Sequence, residues 1–171
     1  SKIQVVHTSE VIENEDSPVK AIRRKTDSSM VKGLTMLKDG EGDLFISAGN
    51  TGAYMAGSLL ILGRIPGVDR PAIASIYPIA GGALPSIIVD AGANSECRPS
   101  NLLEFAIMGS LYMEKVMDRK NASVGLVNLG IEENKGTTVT KAAHKLLKEA
   151  DINFIGNVEA RDVPKGACDV I

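Results

Sequence analysis

An α/β domain is what this sequence predicts, a mostly parallel sheet with helices on both faces, and three observations carry that expectation. Apolar, β-rich runs alternate with helix-period stretches from one end to the other. Seventeen glycines supply tight turns between those runs, whereas three phenylalanines and no tryptophan speak against an aromatic-rich binding surface. The 171 residues, 44% hydrophobic and 23% charged, suffice to close around one core as a single unit, which excludes disorder. No internal repeat, low-complexity tract or domain boundary interrupts the pattern.

Ile3 to Val6 reads as a short first strand, followed by an acidic loop and by Ser17-Pro18, a cap with proline at the first helical position. The helix it opens carries Lys20, Arg23, Arg24 and Lys25. Asp27-Ser28-Ser29 offers a second cap, Met30, Leu34 and Leu37 give the next helix its buried stripe, and Gly40-Glu41-Gly42 ends it. Asp43 to Ser47 has strand character, Ala48 to Gly52 is a tight turn, and Ala53 to Leu62 is a helix apolar enough to be buried. Ala72 to Tyr77 and Ser86 to Asp90 form two strands flanking Gly81-Gly82, an antiparallel pair. Pro99 to Val116 is the longest helix, Ser123 to Leu129 a strand, Thr137 to Glu149 a helix, and Ile152 to Ile155 and Ala167 to Ile171 two further strands.

Nineteen Lys and Arg against twenty-one Asp and Glu leave a formal charge of -2, so no global field draws in a nucleic acid or an acidic membrane. Cys97 and Cys168 are far apart and only two histidines are present, which argues against a disulfide framework and a zinc site and fits a reducing cytosol. No metal and no cofactor is expected. No apolar run approaches the ~20 residues a spanning helix needs. The chain has no initiator Met and stops inside an apolar run, so it reads as a piece of a longer polypeptide.

Ligands of open α/β sheets collect at the carboxyl ends of strands, which directs attention to four turns. These are Ser47 to Gly52, Asp90 to Asn94, Asn128 to Gly136 and Gly156 to Asp162. In the first, Gly49 and Gly52 admit close backbone approach, Asn50 and Thr51 supply donors, and a helix starts immediately afterwards, the ingredients of an anion site. Glycine turns also serve packing alone, and neither the Walker pattern nor GxGxxG is met. Lys135 stands just before a helix start, where the positive end of the helix makes a cation electrostatically misplaced unless an anion joins it; a solvated loop lysine is the commoner fate. Asp90 at a strand end suits either Mg²⁺ or the capping of its own turn. His144 lies among lysines, which favours the surface, and no Ser-His-Asp arrangement is identifiable. A nucleophile, if there is one, therefore comes from the substrate.

The motifs become specific in combination. Ile46-Ser-Ala-Gly-Asn-Thr-Gly-Ala53, Leu62-Gly-Arg-Ile-Pro-Gly-Val-Asp-Arg-Pro71, Asp90-Ala-Gly-Ala-Asn94, Phe105-Ala-Ile-Met-Gly-Ser110 and Phe154-Ile-Gly-Asn-Val-Glu-Ala-Arg-Asp162 follow one another in an order that resembles the bacterial phosphate acyltransferases of phospholipid synthesis, the PlsX family. The likeness covers essentially the whole chain and only the central half of the family's length. It implies an isocitrate/isopropylmalate dehydrogenase-like fold related to phosphate acetyltransferases, and a homodimer. It also implies a cytoplasmic enzyme, peripheral at the membrane's inner face, that moves a long-chain acyl group from acyl carrier protein to inorganic phosphate.

On that resemblance Lys135 and Asn50 are the candidate catalytic residues, with Lys135 matching the lysine of the family's Lys-Gly motif. Ser47, Gly49, Thr51 and Gly52 would cradle phosphate, while Asp90, Asn94, Asn128, Gly130 and Asn157 would shape the acyl-phosphate pocket. Arg23, Arg24 and Lys25 would meet the acidic carrier protein. Two alternatives stay open: a coenzyme A-dependent phosphate acetyl- or butyryltransferase, and a non-catalytic module that binds acyl phosphate or the carrier protein.

Overall fold

The computed structural model describes residues 2–82 and 84–171. The chain forms two compact units, 1–71 and 72–171.

The first unit is helical. α1 (Pro18–Arg24) begins with proline after Ser17, and α2 (Ser29–Lys38) is capped by the Ser28 hydroxyl, which accepts from the Val31 amide. α3 (Thr51–Gly57) runs on into a π-helical turn, Ser58–Leu62. Ile22, Met30, Val31, Leu34 and Ala53 form the core, flanked by Ile12, Phe45, Tyr54 and Ile61. The two strands expected in this unit are not formed. Ile3 to Val6 and Asp43 to Ser47 carry no ladder, and Ile3, Val5, Leu44 and Ile46 are exposed. Strand propensity is realised only where a neighbouring strand completes a ladder, and these segments are in no ladder among the described residues. The apolar helix after the glycine turn is likewise less buried than its composition predicts, because Leu59, Leu60 and Leu62 face outward from the π-helical turn.

The second unit holds the sheet. β1 (Ala74–Tyr77) and β2 (Ser86–Val89) pair antiparallel, as expected, with Ala74 opposite Val89 and Tyr77 opposite Ser86. α4 (Pro99–Lys115) leads to β3 (Ser123–Asn128), and α5 (Thr138–Glu149) leads to β4 (Asn153–Glu159), which pairs parallel with β3. The last expected strand is reduced to single bridges: Val170 pairs in parallel with Ile87 of β2 and with Val124 of β3. The Ile87 amide donates to Asp169, the Val89 amide to Ile171, and the Gly125 amide to Val170, so the terminal segment joins the two ladders. Asp169 anchors it through the Ser123 amide and hydroxyl, both at 2.7 Å, and through an ion pair with Arg119.

Because Val170 is parallel to both β2 and β3, and β3 to β4, those three strands point the same way and only β1 opposes them. Of the two two-stranded sheets that the Val170 bridges join, β3–β4 is parallel and β1–β2 antiparallel, so the expected parallel sheet is met in part, and the helices of this unit are not on both faces. α4 and α5 pack against each other as well as against the strands, which places them on one face. Ile87, Ala106, Met113, Ala122, Val124, Leu147 and Val170 make the core between them. No helix among the described residues is long and apolar enough to cross a membrane.

Candidate functional site

The common direction of β2, β3 and β4 brings the turns that follow them to one rim, the carboxyl edge where ligands of such sheets bind.

After β2, the Asp90 carboxylate closes its own turn. One oxygen accepts from the Ile73 amide at 2.8 Å and the Ala93 amide at 3.2 Å; the other accepts from the Asn94 amide at 2.7 Å and its side chain at 3.1 Å. Burial works to raise the pKa of Asp90, but these donors outweigh it and hold the carboxyl below its ordinary 3.8. With both oxygens so engaged, Asp90 and Asn94 serve as the frame of this turn.

After β3, residues 128–136 form a closed loop. Asn128 accepts from the Leu129 amide at 2.9 Å and donates to the Lys135 carbonyl at 3.1 Å, tying the loop's end to its start. Gly136 is demanded by the fold: its φ is +91°, and a Cβ there would overlap Thr140 Oγ1 and Asn128 Oδ1. Thr137 then caps α5, accepting from the Thr140 amide at 3.2 Å. Lys135 stands immediately before this cap. Its stem runs over Gly130, its side chain is exposed, and among the described residues its ammonium has no hydrogen-bond or ion-pair partner.

A hollow of about 240 Å³ lies among β2, β3, α4 and α5, with Ile171 among its walls. Val89, Asp90, Leu102, Leu126, Val127 and Thr140 are among its walls, so it reaches the Asp90 turn and the first turn of α5.

Asn157 is not in a turn. Pairing with β3 continues through Asn128 opposite Glu159, so β4 extends past the expected end at Ile155 and carries Asn157 buried within it. A register shift between Val124 and Gly125, together with Gly156 at φ +102°, lets the ladder continue. Both amide groups of Asn157 are engaged, one with His144 at 3.1 Å and one with the Glu132 carbonyl at 2.8 Å. His144 itself is 5% exposed, against the surface placement expected from its lysine neighbours. The signal that places it was present: Thr140, Ala143, His144 and Leu147 are spaced i, i+3, i+4, i+7, one face of a helix, while Lys141, Lys145 and Lys148 lie off that face.

The Ser47 to Gly52 turn belongs to the first unit. Ser47 Oγ accepts from the Gly49 amide at 3.1 Å, and Gly52 packs against Pro18. Asn50 caps α3 by accepting from the Ala53 amide at 2.8 Å and donates to the Asn14 carbonyl at 3.0 Å. Thr51 is exposed. In the basic cluster, Arg23 and Arg24 are exposed in the last turn of α1, whereas Lys25 donates to the Val11 carbonyl at 2.7 Å and pairs with Asp16. The hydrogen bond from Lys25 holds the Asp16 carboxyl below its ordinary value.

Comparison with known proteins agrees along the whole chain. A family model described as "Fatty acid synthesis protein" matches residues 1–171. The chain is 60% identical over 170 residues to a protein of Alkaliphilus oremlandii, 55% to one of Clostridium tetani and 50% over 171 residues to one of Clostridioides difficile, each named "Phosphate acyltransferase". The alignments cover 99–100% of this chain and 50% of each relative, so the chain spans about half the length of the curated relatives it matches. With a family model that matches from first residue to last and relatives at 50–60% identity, the chain belongs to the fatty acid synthesis protein family.

Proposed function

We propose that the whole protein of which this sequence is part transfers a long-chain acyl group from acyl carrier protein to inorganic phosphate, releasing acyl phosphate for phospholipid synthesis. The observation that carries the reading is Lys135: an exposed ammonium without a partner among the described residues, held by a closed loop on the sheet rim of a chain whose relatives are named phosphate acyltransferases.

The chemistry asks little of the protein beyond placement. A phosphate oxygen attacks the thioester carbonyl, the C–O bond forms, the carbon–sulfur bond breaks, and the thiolate leaves to take up a proton. No protein nucleophile is needed. A multiply charged anion must be held beside a carbonyl whose oxygen becomes negative, which calls for a cation and neutral donors aimed at the developing charge. Lys135 supplies the cation. In this reading Asn128 and Gly136 fix its loop, while Asp90, with Asn94, frames the turn after β2. Arg23 and Arg24 offer exposed positive charge to an acidic carrier. The dehydrogenase-like fold, the homodimer and a peripheral place at the membrane complete the reading on family resemblance.

The test is acyl-phosphate formation by the full-length protein carrying Lys135→Ala, with a thermal melt to establish folding. A loss of several powers of ten is expected; a loss under tenfold, about 1.4 kcal/mol in the barrier, removes the cation from the mechanism.

A further inference from the structure

We propose that His144 is a positioning residue: it holds the Lys135 loop from behind, through Asn157, in the arrangement from which Lys135 acts. The inference rests on the acyl-transfer reading and adds to it a residue that touches neither reactant.

Hydrogen bonding fixes the direction of the linkage. The Asn157 side-chain nitrogen lies 2.8 Å from the Glu132 carbonyl, which can only accept, so this nitrogen donates there and the amide oxygen faces His144. That oxygen is 3.1 Å from His144 Nδ1, which must therefore be the protonated ring nitrogen. The other ring nitrogen, Nε2, looks toward the Glu133 carboxylate at 3.7 Å, which also receives the Lys148 ammonium at 2.6 Å. Phe154 meets the imidazole edge to face, with centroids 5.1 Å apart, and fixes the plane of the ring.

The loop is thus gripped twice. Asn128 ties the Lys135 carbonyl at one end, and the His144–Asn157 pair ties the Glu132 carbonyl at the middle, with Glu133 beside it. The Lys135 amide in turn donates to that same Glu132 carbonyl at 3.1 Å. One acceptor therefore receives both the buried clamp and the residue that carries the cation. A polar side chain on the buried face of α5, where an apolar one would pack as well, is explained by this clamp. Its leverage is large because misplacing a reacting group by about 1 Å costs on the order of a hundredfold in rate.

The test uses the full-length protein with wild type, His144→Phe and His144→Asn. Phenylalanine keeps the aromatic contact with Phe154 and loses the donor; asparagine places an amide N–H near the position of Nδ1. His144→Phe should speed amide exchange in residues 129–136 about tenfold or more with the β1–β2 pair unchanged, and should lower kcat for acyl-phosphate formation by about ten- to a hundredfold with KM for the thioester within about threefold. His144→Asn should recover most of both losses. Should His144→Phe fail to fold, Asn157→Ala, which removes the donor to the Glu132 carbonyl, should still quicken exchange at 129–136. Unchanged exchange in this loop overturns the clamp whatever the activity. Faster exchange with unaltered kcat overturns the catalytic consequence. A wild-type protein that makes no acyl phosphate overturns the acyl-transfer reading, and the exchange arm then still decides whether His144 holds the loop.

Discussion

Two turns on the same rim, after β2 and after β3, use the same materials to opposite ends. Each has an asparagine, a glycine and a charged side chain. In the Asp90 to Asn94 turn the charge is consumed: four donors converge on the carboxylate, and Asn94 supplies two of them. In the Asn128 to Gly136 loop Asn128 is consumed and the charge of Lys135 is not, because Asn128 spends its amide on the Leu129 amide and the Lys135 carbonyl and leaves the ammonium exposed. A charge satisfied by its own turn stabilises the fold. A charge that its loop leaves exposed is available for chemistry.

The sharpest way to break this contrast is to remove each charge and read activity against stability. Lys135→Ala should cost several powers of ten in acyl-phosphate formation with little change in melting temperature, whereas a variant at Asp90 should move stability first. If the lysine variant melted early instead, its ammonium would be part of the scaffold.

Next in size is Gly136→Ala. The positive φ and the overlap with Thr140 and Asn128 should destabilise the full-length protein by about 1–3 kcal/mol and displace Lys135, lowering kcat as well. Denaturant midpoints and kcat measured on one preparation check both; an unaffected kcat would show that the loop tolerates movement.

Asp90→Asn sharpens the other side. The amide keeps one acceptor oxygen and turns a donor toward Asn94, which should cost about 1–3 kcal/mol at neutral pH. The folded-state pKa of Asp90 lies below its ordinary 3.8, so its contribution is fully present above that value and is lost as pH falls through the lower folded-state pKa. The wild type should therefore lose more stability between pH 7 and the acid range than the variant does. Urea midpoints across that range decide the point, and equal slopes would show that the carboxylate contributes nothing through its ionised form.

The smallest effect belongs to Asn50→Ala in the first unit, where the amide caps α3 and holds the Asn14 carbonyl. A loss of about 1 kcal/mol is expected from the cap alone. A drop in activity with no thermal shift would instead put Asn50 in contact with a reactant.

These pairs also show how much of the site could be read in advance. Gly136 and Thr137 marked the end of the loop and the start of α5 correctly, since a cap and a left-handed glycine are local devices. The sequence placed Asn157 in a turn and His144 at the surface. Both errors come from contacts made across the fold: the ladder between β3 and β4 carries Asn157 inward, and the packing of α5 on β4 buries His144. Lysines on either side of His144 suggested exposure, whereas its spacing from Thr140, Ala143 and Leu147 was the better guide.

The amino-acid order by itself determined the α/β class, the helices from Pro18, Ser29, Pro99 and Thr138, and the antiparallel pairing of β1 with β2. In each case the hydrogen bonds close within a few residues or across a short connection, so caps, prolines and glycines suffice to specify them. Only the tertiary structure decided that Ile3 to Val6 and Asp43 to Ser47 form no strand ladder among the described residues, that Val170 bridges two ladders, and that Asn128 and Asn157 hold the loop while Lys135 is left exposed. The reason is that strands and buried amides find their partners at distant positions in the chain, where pattern and propensity hold no record of who those partners are.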